Sequence, residues 1–224
     1  QGAAGVLVVQ ETGPAAYGWA TVKNSNTNAM FDIVRKDPRA EHPPLEGWIQ
    51  RDLAVKLAAD SGLNFEALKA AARKKDFRPV ELKARIDVHG DARTEVITSQ
   101  NVIGIVPGTR HPDETVIYSA HWDHLGVGLP DANGDKIYNG AIDNGTGLAQ
   151  LIEQGRSFAA GPRPQRTMVF MAVTAEEKGL LGSEYYAANP IYPAGKTVGM
   201  LNTDVMSVIG AARDYSIRGS AKLG

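Results

Sequence analysis

Apolar residues along this chain follow one spacing in its first part and another beyond about residue 97. Residues 6–9 form a short apolar run, the signature of a buried strand. The polar stretch carrying Asn24, Asn26 and Asn28 has no periodicity and reads as loop, and His42-Pro43-Pro44 interrupts any regular element. Leu53, Val55, Leu57 and Ala58 predict a helix that ends near Ser61-Gly62. Phe65, Leu68, Ala71 and Ala72 space like a second short helix. Val80, Leu82, Ala84, Ile86 and Val88 alternate, which predicts a half-buried strand over 79–88.

Beyond residue 97 the pattern becomes strand, loop, helix in repetition. Residues 102–106 read as a strand closed by Pro107-Gly108, and 115–120 as another. Leu148, Leu151, Ile152 and Phe158 mark one face of a helix. Residues 167–173 are almost all apolar, as strands buried on both faces are. Residues 179–188 predict a helix stopped by Asn189-Pro190, and 198–201 a last strand. Alternating β and α elements imply an α/β domain built on a largely parallel sheet. The change of texture predicts a division near residues 90–97, with the 79–88 strand belonging to the first part or its linker.

Composition narrows the function classes. The 224 residues are 43% hydrophobic and carry a formal net charge of -1, so a nucleic-acid or acidic-membrane partner has no electrostatic support. No apolar run approaches the ~20 residues of a membrane span. With no cysteine, disulfides, thiolate zinc ligands and thiol catalysis are excluded. The opening Gln1-Gly2-Ala3-Ala4-Gly5-Val6 lacks Met, a basic segment or a cleavage site and reads as a strand entered midway. The expectation is that upstream sequence, including any export signal, precedes it.

Candidate chemistry lies where the strands end. The 115–120 strand runs into His121-Trp122-Asp123-His124, the 167–173 strand into Thr174-Ala175-Glu176-Glu177, and the 198–201 strand into Asn202-Thr203-Asp204. Asp143 sits just before the helix that starts near Leu148. In open α/β sheets ligands bind beyond the carboxyl ends of strands, so these side chains are predicted to share one rim. Carboxylates gathered there repel one another unless they take up protons or cations. Imidazole with carboxylates suits zinc, and one bridging carboxylate spans the roughly 3.5–4 Å between the ions of a two-metal site. A remaining glutamate is then free to act as a general base. Each residue also has a plainer reading: His121 and Asp204 as surface polar groups, Asp143 as a helix N-cap, Glu176-Glu177 as an acidic first helical turn.

His121-Trp122-Asp123-His124, Ala141-Ile142-Asp143-Asn144-Gly145-Thr146-Gly147, Ala175-Glu176-Glu177-Lys178-Gly179-Leu180-Leu181-Gly182-Ser183 and Asn202-Thr203-Asp204 together resemble the co-catalytic zinc peptidases. That family includes bacterial leucyl aminopeptidases, aminopeptidase Y and glutamate carboxypeptidase-like enzymes. The resemblance covers about 97–210. It implies a three-layer α/β sandwich with a largely parallel mixed central sheet, C-terminally truncated here, as the catalytic domain over 93–224. Residues 1–92 resemble the later part of a protease-associated accessory domain with its linker, on Gly2-Ala3-Ala4-Gly5-Val6-Leu7-Val8 and the segment around Trp48 to Leu57.

Position by position, the resemblance implies two zinc ions. His121 and Asp204 hold one, Glu177 the other, and Asp143 bridges. Glu176 is the general base acting on a water activated by the two zincs, and Asp123 orients His121. The implied activity is that of an exopeptidase, an aminopeptidase removing N-terminal residues from peptide substrates. Export to the periplasm or exterior is implied as well. The family pattern also needs a further histidine downstream for the zinc at Glu177, yet none follows His124. The expectation is therefore that residues 1–224 alone are inactive.

Two other function classes have some support. A non-catalytic relative serving as a binding module would be expected to lose ligands, and here they are kept. Gly145-x-Gly147 before a helix faintly mimics a dinucleotide site of an oxidoreductase, but Gln150 occupies the third glycine position. Asp131-Ala132-Asn133-Gly134-Asp135 starts like a calcium loop, yet Lys136 and Ile142 stand where glycine and glutamate are needed, so a turn is predicted. Asn144-Gly145-Thr146 is a formal glycosylation sequon whose position beside Asp143 predicts a buried structural role instead.

Overall fold

The computed structural model describes residues 2–26, 29–37, 42–206 and 210. The chain divides into two compact units, residues 1–98 and 99–224. In the first unit the order is β1 (Gly5–Gln10), α1 (Thr12–Ala15), α2 (Trp19–Asn26), β2 (Leu45–Gln50), α3 (Arg51–Asp60) and α4 (Phe65–Ala72). β1 and β2 pair in parallel from Gly5 opposite Leu45 to Gln10 opposite Gln50. A parallel pair needs a crossover between its strands, and α1 and α2 lie within it. On α3, Ala54 and Ala58 are buried one turn apart. Its end is closed by Gly62 N donating to Ala59 O and Leu63 N to Ala58 O, a pair of hydrogen bonds that satisfies otherwise orphaned helix carbonyls. Asn64 caps α4 by accepting from Ala67 N.

Two expectations for this unit are corrected. The polar stretch around Asn24 and Asn26 is the helix α2, not a loop; Asn28 lies outside the described residues. Only Val22 of α2 is buried. One anchor cannot generate a period, so the sequence carries no helical signal there. Residues 79–88, in turn, form no strand. Alternation provides a face, but a strand also needs an edge to pair with. This segment pairs with neither β1 nor β2, and Val80, Leu82, Ile86 and Val88 are exposed. β2, around Trp48, went unrecognised as a strand by pattern alone.

In the second unit the order is β3 (Val102–Val106), β4 (His111–His121), β5 (Gly126–Val127), β6 (Ile137–Tyr138), α5 (Gly145–Ala160), β7 (Arg166–Val173), α6 (Leu181–Ala188), a 3-10 turn (Ala194–Lys196) and β8 (Thr197–Asn202). The main sheet runs β3-β7-β4-β8, with β4 parallel to both β7 and β8 and β3 antiparallel to β7. Successive side chains of a strand face opposite ways. Met168 and Phe170 of β7 accordingly pack with Ala120, Leu151, Leu148 and Phe158 on the α5 side. Val169, Met171 and Val173 pack with Ile117, Ile103 and Tyr186 of α6 on the other. Tyr118 stacks on Phe170 with centroids 5.7 Å apart. This is the expected three-layer α/β sandwich with a largely parallel mixed sheet. β5 and β6 form a small hairpin unforeseen by pattern, joined by the turn expected at 131–135, where Asp131 Oδ1 accepts from Asn133 N and Asp135 N. No helix among the described residues is long and apolar enough to cross a membrane.

Candidate metal centre

Three neighbouring parallel strands deliver the candidate residues to one edge. His121 is the last residue of β4 and pairs with Val173, the last of β7. Glu176 and Glu177 follow β7 by three and four residues, and Asp204 follows β8 by two. β4 lies between β7 and β8, so His121 is enclosed on both sides and its side chain is only 2% exposed. Asp143 arrives from the turn before α5. The N-cap of that helix is not Asp143 but Asn144, whose Oδ1 accepts from Gly147 N at 3.0 Å while its Nδ2 donates to Thr203 O at 2.9 Å. Asp143 is thereby left to face His121. Asn144 is 2% exposed, in keeping with a structural sequon.

The loop that carries the two glutamates is tightly bonded. Gly182 N donates to Thr174 O and Leu181 N to Ala175 O. A Cβ on Gly182 would lie 2.3 Å from Thr174 O, so this closure admits only glycine. Ala175 adopts φ 52, the left-handed region, at a cost of order 1–3 kcal/mol for a non-glycine residue. Glu176 and Glu177 precede α6, which begins at Leu181, so they are not an acidic first helical turn. The Asp123 carboxylate fixes them both: Oδ1 accepts from Glu176 N at 2.9 Å and Oδ2 from Glu177 N at 3.2 Å.

His121 Nδ1 lies 2.9 Å from the Asp123 carbonyl oxygen and 3.7 Å from its carboxylate. A carbonyl only accepts, so Nδ1 carries the proton and Nε2 is the nitrogen available to a metal. Nε2 is 3.0 Å from Asp143 Oδ1, 3.3 Å from Asp204 Oδ1 and 3.9 Å from Glu176 Oε2. His124 Nδ1 is 2.7 Å from Glu177 Oε1. The sequence-predicted residues His121, Asp123, Asp143, Glu176, Glu177 and Asp204 are thus gathered at one rim. Asp123 reaches His121 mainly through its backbone carbonyl, and its carboxylate serves the glutamate loop. His124, three residues after His121 in the same motif, is not singled out by the sequence pattern, and the structure sets it against Glu177.

Burial opposes a positive charge on His121. The Asp123 carbonyl and the carboxylates of Glu176, Asp204 and Asp123 outweigh that effect and hold its pKa above the ordinary value. Glu176 is pushed above its ordinary value, first by burial, with His121 opposing and Asp204, Glu177 and Asp123 adding repulsion. Such mutual repulsion is relieved by cations. The donor set fits one: ligand atoms of His121, Asp143 and Asp204 lie within 4.8 Å of one another, as do those of His121, Glu176 and Glu177, and those of His124, Asp143 and Glu177. Imidazole nitrogen with carboxylate oxygen is a donor set suited to zinc.

Comparison with known proteins points the same way. A family model described as Peptidase family M28 matches residues 101–223. A probable zinc metalloprotease of Pyricularia oryzae is 34% identical over 106 residues, 47% of this chain and 20% of that protein. The aminopeptidase NAALADL1 of Mus musculus is 32% identical over 133 residues, 57% of this chain and 16% of that one. Among solved structures, BSAP, a zinc aminopeptidase from Bacillus subtilis, is 30% identical over 48% of this chain and 24% of its own, with a TM-score of 0.38. The match spans less than a quarter of each of these relatives.

Proposed function

The chain belongs to peptidase family M28, and from that premise we propose that it carries the centre of a zinc exopeptidase that removes N-terminal residues from peptides. The observation that carries the reading is the convergence of two donor sets that share Asp143, with Glu176 beside them. His121, Asp204 and Asp143 would hold one zinc, and Glu177 with Asp143 would contribute to a second. Zinc held there supplies Lewis acidity toward a carbonyl oxygen and makes water more acidic.

The chain's own residues supply the rest. Glu176 takes the proton from the attacking water as its oxygen bonds to the scissile carbonyl carbon. It then returns that proton to the amide nitrogen as the C–N bond breaks, leaving a carboxylic acid and a free amine. A carboxylate whose proton affinity is raised by burial is suited to both halves of that exchange. Asp123, by accepting both glutamate amides, keeps Glu176 and Glu177 from exchanging places. Residues 1–92 we read as part of an accessory module of the protease-associated type with its linker; the parallel β1–β2 pair with its helical crossover supports an α/β module.

The test pairs turnover with metal analysis in the full-length protein. Glu176→Gln keeps the shape but cannot accept a proton, so turnover should fall about 10²–10⁴-fold with zinc content unchanged. Glu177→Gln should lose zinc instead. The reverse pattern would exchange the two roles, and full activity in both variants would refute the hydrolase reading.

A further inference from the structure

Resting on the reading of Glu176 as general base, we propose that Asn101 is a positioning residue whose carboxamide holds the two ends of the loop carrying Glu176 and Glu177. Asn101 stands immediately before β3, outside every motif of the metal centre. Its Oδ1 accepts from Thr174 N at 3.0 Å, and its Nδ2 donates to Gly182 O at 2.8 Å. Thr174 directly follows β7, and Gly182 is the second residue of α6. Those two residues are joined directly once, by Gly182 N donating to Thr174 O. Asn101 supplies the return connection, from Thr174 N through the carboxamide to Gly182 O. The entry and exit of the loop are thereby closed into a ring of hydrogen bonds.

Asparagine is the residue type this position needs, since one atom must accept and its neighbour must donate. Aspartate would set an oxygen against Gly182 O, and alanine would leave Thr174 N and Gly182 O without this partner. Gly182 leaves the room: a Cβ there would lie 2.6 Å from Asn101 Oδ1 as well as 2.3 Å from Thr174 O. The residues before Asn101 reinforce the tie. Ser99 Oγ is 2.6 Å from Thr174 Oγ1, and Gln100 O accepts at 3.0 Å from Nε1 of Trp122, the residue after His121. Residues 99–101 so strap the end of β7 to the end of β4. Asp123 holds the middle of the loop through Glu176 N and Glu177 N, and Asn101 holds its ends. With the ends released, the Glu176 carboxylate loses its fixed place 3.9 Å from His121 Nε2. A displacement of about 1 Å near a reacting group costs on the order of 10²-fold in rate.

The test uses the full-length protein carrying Asn101→Ala, with Asn101→Asp as a second variant of nearly native shape. Hydrogen exchange read by mass spectrometry on the metal-depleted protein compares peptides covering 174–182 and 167–173. Exchange in 174–182 should quicken about tenfold, with 167–173 unchanged. At saturating zinc, kcat per folded molecule should fall roughly 10- to 100-fold while KM is kept, because the base is misplaced and substrate binding is not. A role in stability alone would speed exchange in both segments alike and leave kcat per folded molecule unaltered; either result would overturn the proposal. The unmutated protein supplies a check that needs no variant to fold: its 174–182 amides should exchange far more slowly than those of the exposed stretch 84–98, and equal rates would mean that the loop is not held. An unmutated protein without turnover at saturating zinc would instead overturn the peptidase reading, with the exchange comparison still deciding whether Asn101 anchors the loop.

Discussion

At the scale of the residue, His121 links the site's electrostatics to its ligand chemistry. Burial disfavours its charge, but the Asp123 carbonyl and the carboxylates of Glu176, Asp204 and Asp123 raise its pKa above the unfolded value. The imidazolium's contribution to stability is then complete below the unfolded pKa of about 6.5 and is lost as pH rises through the higher folded value. A metal requires the neutral ring, so over that same window it must displace a proton. Zinc binding should accordingly weaken as pH falls through the raised folded pKa of His121 and should release protons. Calorimetry in two buffers of different ionisation enthalpy measures that release; equal heats in both buffers would contradict it. The residues of this centre were legible because each follows a strand or opens a helix in a recognisable motif. The detail that Asp123 presents its carbonyl to His121 and its carboxylate to Glu176 and Glu177 was not. Backbone direction decides which oxygen faces which donor, and residue identity carries no record of it.

At the scale of the element, α5 shows how one capping residue joins helix to sheet. Asn144 bonds Gly147 N at its own helix start and Thr203 O just after β8. Replacing it by alanine removes the cap and leaves buried groups unpaired, so Asn144→Ala should destabilise by about 1–3 kcal/mol in urea titration of the metal-free protein. A loss within error would mean that the cap contributes nothing. β7 was readable because both of its faces are buried and nearly every position is apolar. α2 was not readable, since Val22 is its single buried residue, and 79–88 was over-read because alternation cannot reveal whether a neighbouring edge exists.

At the scale of the whole molecule, the chain passes from one unit to the other through residues 84–98, all exposed and without secondary structure. Trypsin should cut first after Arg85 and Arg93, and more slowly after Lys83, whose amide is tied to Ser61 Oγ. Mass spectrometry of the early products should show pieces starting at Ile86 or Thr94. First cuts within β3 to β8 would contradict the two-unit division. By itself the sequence determined the α/β class, the main strands of the sheet and the rim at which the chemistry gathers. Those depend on local periodicity and on the rule that ligands sit beyond strand carboxyl ends. Only the tertiary structure decided that β4 lies between β7 and β8, that Asn144 rather than Asp143 caps α5, and that His124 faces Glu177. Each of those is a contact between residues distant in sequence or a choice between adjacent side chains. Such contacts are set by how whole elements pack against one another, which no spacing along the chain encodes.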